Sequence, residues 1–242
     1  MTPAPQPPPA PGLPARERLF VALDVDTRDE ALALVRRLGN EAGSYKVGLQ
    51  LLTAAGPDVV RELVALGKQV FLDLKLHEIP NSVAAAVAAA GRLGVSMVTV
   101  HASGGGAVLR AAVAAARPFP QLKVLALTVI TSLRDEDLPE IGLAPSVDAQ
   151  VRRLAQLALA QGCHGVVASA REAALLSGML PQGTLIVTPG IQLPDTADND
   201  QARVAAPQAA LAGGGTHMVL GRAITQAADP LAALRAALVA LG

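Results

Sequence analysis

The chain has 242 residues, is 51% hydrophobic but only 2% aromatic, and balances 20 Lys+Arg against 20 Asp+Glu. Neutral overall and poor in rings that stack on bases, it is not expected to bind nucleic acid, and no apolar run reaches the ~18 residues of a membrane span. Its one cysteine, Cys163, excludes an internal disulfide and suits a reducing cytoplasm.

Residues 1–16 are rich in Pro and Ala and have neither the basic start nor the apolar stretch of a secretory signal. They read as a disordered tail before one domain over 17–242. A strand over 19–25 is followed by Thr27-Arg28-Asp29-Glu30, a capping-box pattern that opens a helix to about residue 38. A brief strand at 45–47 precedes a helix from Pro57 to about Gly67. Strand three covers 69–75 and its helix 80–93; strand four covers 97–101 and its helix 105–116. Strand five is expected over 122–130, then a polar connection and a helix over 146–161. A strand at 165–168 with a helix at 170–176, a strand at 185–188 with a helix at 207–212, and a strand at 218–221 with a closing helix at 230–241 complete the pattern.

Eight strand–helix units of similar size predict the α/β class and a closed (β/α)8 TIM barrel. The competing architecture, an open doubly wound sheet, lacks a G-x-G-x-x-G after its first strand. In a barrel the site lies at the C-terminal ends of the strands. Polar residues collect at that rim: Asp24 at the end of strand one, Lys46 in strand two, Asp73 and Lys75 at the end of strand three, His101 at the end of strand four, Thr131 and Ser132 after strand five, and Gly221-Arg222 at the end of strand eight.

Asp73 and Lys75, two apart on a strand, share one face. Opposite charges ending a core strand are costly unless used, although a buried structural ion pair would also account for them. With Lys46 and Glu78 they would form an alternating cation–anion array, in which Asp73 lies against a negative substrate group and Lys75 delivers a proton to carbon. Thr188-Pro189-Gly190-Ile191-Gln192 and Gly221-Arg222 stand where such barrels commonly hold a phosphate. Gly213-Gly214-Gly215 precedes strand eight and reads as a helix stop. His77, His101, His164 and His217 have no zinc-ligand spacing, so no metal site is expected.

In this order, Val21-Ala22-Leu23-Asp24, Tyr45-Lys46-Val47-Gly48, FLDLKLHEIPNS at 71–82, Val100-His101-Ala102-Ser103-Gly104-Gly105, 127–132, 187–191 and 219–222 resemble the orotidine 5′-phosphate decarboxylase family in its short bacterial form. The D-x-K-x-x-acid element followed by I-P-N is the specific part. The resemblance implies a cofactor-independent enzyme converting orotidine 5′-phosphate to UMP and carbon dioxide in de novo pyrimidine biosynthesis. It implies that Asp24 and Lys46 contact the ribose, that Asp73 lies beside the substrate carboxylate, and that Lys75 protonates C6. It places Thr131 and Ser132 beside the pyrimidine, and Gln192, Gln201, Gly221 and Arg222 at the phosphate. It also implies a homodimer in which Glu78 and Ser82 reach the partner's site.

The family's usual last acid is Asp, where this chain has Glu78, and bacterial relatives usually carry Arg where Gln192 stands. The extra methylene moves the Glu78 carboxylate by roughly an ångström, a shift that costs on the order of 100-fold in rate if nothing absorbs it. Two other readings use the same residues. One is a nucleotide-binding barrel without catalysis. The other is a metal-dependent sugar-phosphate decarboxylase or aldolase of the same superfamily, which places an acid where Lys46 stands.

Overall fold

Short runs of Val, Leu, Ile and Phe form eight parallel strands in the computed structural model, which describes residues 13–193 and 205–242. These are β1 (Leu19–Ala22), β2 (Ser44–Gly48), β3 (Gln69–Leu76), β4 (Met97–His101), β5 (Lys123–Leu127), β6 (Gly165–Val167), β7 (Leu185–Thr188) and β8 (His217–Leu220). Each pairs with its sequence neighbours, and β8 pairs back onto β1 through Leu19↔Met218, Phe20↔Val219 and Val21↔Leu220, closing the (β/α)8 barrel.

Two faces of each strand are buried in different surroundings. Phe20, Phe71, Met97, Leu125, Leu127 and Val219 belong to a cluster inside the barrel. Alternate residues such as Val21, Val47, Leu72, Val98 and Val100 belong to a larger cluster that includes the helices. By the same alternation Lys46, Asp73 and Thr99 take inward positions near the C-terminal ends of their strands. The filled core therefore becomes polar where the site is expected.

The helices are α1 (Ala15–Arg18), α2 (Arg28–Leu38), α3 (Leu49–Ala55), α4 (Asp58–Ala65), α5 (Pro80–Leu93), α6 (Gly106–Ala116), α7 (Val147–Ala160), α8 (Ala170–Ser177), α9 (Pro207–Ala212), α10 (Arg222–Thr225) and α11 (Pro230–Leu241). The capping box opening α2 is formed: the Glu30 amide donates to Thr27 Oγ1 at 3.2 Å, and the Thr27 amide to Glu30 Oε2 at 3.1 Å. At the close contact of α5 with α6, a Cβ on Gly91 would lie 2.3 Å from the Phe119 ring, so only glycine fits without a shift.

Several boundaries differ from the sequence reading. β1 ends at Ala22 and β5 at Leu127, leaving Asp24 and residues 128–130 in loops. The ladder stops after β5 where the Thr128 hydroxyl donates to the Val167 carbonyl at 3.1 Å. Helices α3 and α10 and a 3-10 segment at Asp135–Ile141 were not anticipated, being short and only weakly periodic. The expected tail at 1–16 falls mostly on residues 1–12, outside the described residues. Of its last residues, Ala15 and Arg16 belong to α1, where the Glu17 amide donates to the Pro14 carbonyl at 2.8 Å.

Candidate active site

Two ion pairs stand side by side at the C-terminal rim. Lys46, inward on β2, sends Nζ to Asp24 Oδ1 at 2.9 Å; the lysine side chain is 11% exposed and the aspartate 48%. On β3, Lys75 Nζ lies 2.8 Å from Asp73 Oδ2, with the aspartate 12% exposed and the lysine 37%. One pair thus buries its cation and the other its anion, and each buried charge has the opposite charge that its position requires. The register sets Gly48 opposite Asp73, so Lys46 and Asp73 share the inward face of neighbouring strands.

Lys75 is the one non-glycine residue with positive φ among the described residues, at +50°. This left-handed conformation costs about 1–2 kcal/mol in an L-residue. Its cause is a bulge: Leu72 pairs with Val98 and Leu76 with Val100, so four steps along β3 match two along β4. Simple alternation across residues 73–75 therefore does not hold, and the bulge aims Lys75. Thr99, between the two paired residues of β4, faces the bulge. Its hydroxyl accepts from the Lys75 amide at 2.8 Å and donates to Asp73 Oδ1 at 2.9 Å. Sequence reading overlooked Thr99, since a β-branched residue in MVTVH looks like ordinary strand filling.

Glu78 is exposed, and hydrogen bonding by Ser82, then by the Ile79 backbone, lowers its pKa from the usual carboxylate value. Among the described residues it forms no ion pair with Lys46 or Lys75, so the expected four-member array is, within one subunit, two pairs and a separate acid. Ser82 is exposed in the first turn of α5. His101 ends β4 with Nδ1 at 2.6 Å from Ser103 Oγ and its ring stacked on His77 at 5.0 Å. Burial, then the charges of His77 and Lys75, lower its pKa, which keeps it neutral near pH 7 beside the Lys75 ammonium. Burial pushes the Cys163 thiol up to about 12, which makes it a poor nucleophile.

Around the same rim, Thr131 is buried and Ser132 exposed in the turn after β5. Gln192 is half-buried after β7, its amide donating to the Ala205 carbonyl at 3.0 Å. Gly221 and Arg222 follow β8 and open α10. A Cβ placed on Gly221 would lie 3.7 Å from Asp24 Oδ2, so the β8 end adjoins the Asp24–Lys46 pair. Gln201 lies outside the described residues.

Residues 17–237 match the family model described as orotidine 5′-phosphate decarboxylase / HUMPS family. The chain belongs to this family. Similar proteins include the orotidine 5′-phosphate decarboxylase of Idiomarina loihiensis, 46% identical over 94% of this chain and 99% of that protein. That of Chromobacterium violaceum is 50% identical over 90% of this chain and 89% of its own length. Among solved structures, orotidine 5′-phosphate decarboxylase from Lactobacillus acidophilus superposes with a TM-score of 0.83 at 34% identity, covering 93% of this chain and 98% of the other. An uncharacterized conserved protein from Geobacillus kaustophilus gives 0.78 at 32% identity, covering 93% and 100%. Membership in the orotidine 5′-phosphate decarboxylase / HUMPS family thus spans the whole barrel, both ion pairs included.

Proposed function

We propose that this chain decarboxylates orotidine 5′-phosphate to UMP and carbon dioxide in de novo pyrimidine biosynthesis, with Asp73 and Lys75 as its reacting pair. The observation that carries the assignment is that pair: a buried carboxylate and a half-exposed ammonium 2.8 Å apart at the mouth of the barrel. Breaking the bond between C6 and the carboxylate leaves an electron pair on C6. The Lys75 ammonium stabilises the charge developing there and then gives C6 a proton. Asp73, 2.8 Å from that ammonium, holds it in place and lies beside the substrate carboxylate.

Substrate binding is assigned to the rest of the rim. Asp24 and Lys46 take the ribose hydroxyls, and Thr131 and Ser132 lie beside the pyrimidine. Gln192, Gln201, Gly221 and Arg222 take the phosphate, where the loops after strands seven and eight and a short extra helix such as α10 form a common anion site in these barrels. Contacts remote from C6 contribute binding energy that is realised in the transition state.

The active form is assigned as a cytoplasmic homodimer. Leu49, Ile79, Ile130 and Ile141 are 58%, 62%, 43% and 61% exposed and all lie beyond C-terminal strand ends, giving the rim an apolar border that a second copy would cover. Glu78, adjacent to Ile79 and unpaired with its own lysines, is then placed to act in the partner's site, with Ser82 beside it. No helix among the described residues is long and apolar enough to cross a membrane. A steady-state assay following loss of orotidylate absorbance, with UMP identified as product, tests the assignment; UMP binding without turnover would overturn it.

A further inference from the structure

We propose that Thr99 is a positioning residue that fixes the reacting pair, an inference that rests on reading Asp73 and Lys75 as that pair. The proton accounting allows one arrangement. A backbone amide only donates, so the Thr99 oxygen accepts from the Lys75 N–H at 2.8 Å. The single hydroxyl proton is then directed to Asp73 Oδ1 at 2.9 Å, a carboxylate oxygen that accepts. Asp73 Oδ2 takes the Lys75 ammonium at 2.8 Å. The chain of contacts is a closed ring, running from the backbone of Lys75 through Thr99 and Asp73 to the ammonium of the same lysine.

That ring answers two needs at once. The bulge leaves the Lys75 amide facing Thr99 in place of a regular ladder partner, and it leaves Lys75 in the left-handed region at φ +50°. Thr99 is 0% exposed, so it cannot touch substrate and acts only through its neighbours. Its β-branched side chain has restricted χ1 freedom, so the hydroxyl is already aimed. Without it, the strained turn loses its anchor and Asp73 loses one of its two fixing contacts.

The test is steady-state kinetics on Thr99→Val, Thr99→Ser and Lys75→Ala in the full-length protein, with melting temperatures recorded and assays run well below them. Thr99→Val keeps the shape and removes the hydroxyl. It is expected to lower kcat by about 10–100-fold, because small misplacements of reacting groups are costly. KM for orotidine 5′-phosphate should stay within about threefold, since ground-state binding groups are untouched. Thr99→Ser should recover kcat to within about fivefold of the parent, the hydroxyl being kept and only its χ1 restriction lost. Parental kcat in Thr99→Val, or a loss in Thr99→Ser as large as that in Thr99→Val, overturns the inference while an inactive Lys75→Ala leaves the reacting-pair reading standing. Turnover by Lys75→Ala overturns that reading and the role of Thr99 with it. If Thr99→Val does not fold, Thr99→Cys replaces it. A kcat-only loss relative to Thr99→Ser then supports the inference, and equal kcat overturns it.

Discussion

Lys46 Nζ meets Asp24 Oδ1 at 2.9 Å, and Gly48, two residues beyond the lysine, is what leaves room for the contact. A Cβ on Gly48 would lie 3.0 Å from Lys46 Nζ and 3.5 Å from Asp24 Oδ1. The backbone of Gly48, at φ −98° and ψ −173°, is extended and open to any residue, so glycine is needed here for space alone. Gly48→Ala should therefore spare the fold and displace the ammonium. We expect kcat/KM for orotidine 5′-phosphate to fall about tenfold or more, since the added methyl shifts a ribose-contacting charge. Unchanged kcat/KM would show that the spacing of this pair does not matter.

The phosphate assignment separates two residues by charge. Arg222→Ala removes a guanidinium fork and should raise KM by about 10–100-fold, an effect typical of a lost charged hydrogen-bonding group. Gln192→Arg should lower KM, with kcat changed less. Ligand-concentration series on the two variants check this, and opposite movements would contradict it.

Glu78 gives a test of shared sites. Glu78→Ala and Lys75→Ala are each expected to be nearly inactive as homodimers. In a hybrid dimer one site would carry both changes and the other neither. Random exchange of equal amounts should therefore restore about a quarter of parental activity, following from two-fold symmetry. No recovery on mixing, with hybrids verified by mass spectrometry, would place Glu78 in its own subunit's site.

His217 makes stability depend on pH. It is buried inside the barrel beside Phe20, and burial, then the Arg18 charge, pushes its pKa from 6.5 down to about 4. The unfolded chain binds this proton at higher pH than the folded one, so its contribution is complete above pH 6.5 and is lost as pH falls toward 4. The loss across that window is about 3 kcal/mol. Urea midpoints for the parent and His217→Asn, measured from pH 7 to 4, should show a shallower decline in the variant; parallel declines would assign the pH dependence to other groups.

The barrel was legible because most strands are short apolar runs and some helices carry their own punctuation, as Thr27 with Glu30 does for α2. The charged side chains were legible because Asp73, Lys75 and Lys46 are out of place in a core. What could not be read was the local geometry. A period-of-two reading of Asp73-Leu74-Lys75-Leu76 contains no sign of a bulge, which arises from the mismatch in pairing between β3 and β4. Thr99 escaped notice for the same reason: its hydroxyl matters only because the bulge turns the Lys75 amide toward it. Glu78 joins the array on charge alone, which carries no direction, whereas in the structure it makes no ion pair with Lys46 or Lys75 among the described residues.

The most direct measurement is the kcat of Lys75→Ala on orotidine 5′-phosphate, read by loss of orotidylate absorbance and by release of UMP. Removing the ammonium takes away both the proton donor and the charge facing C6, so kcat should drop by at least ~10³-fold. The barrel should still melt cooperatively, because the Lys75 side chain is 37% exposed and fills no core volume. UMP formation near the parental rate would contradict the account.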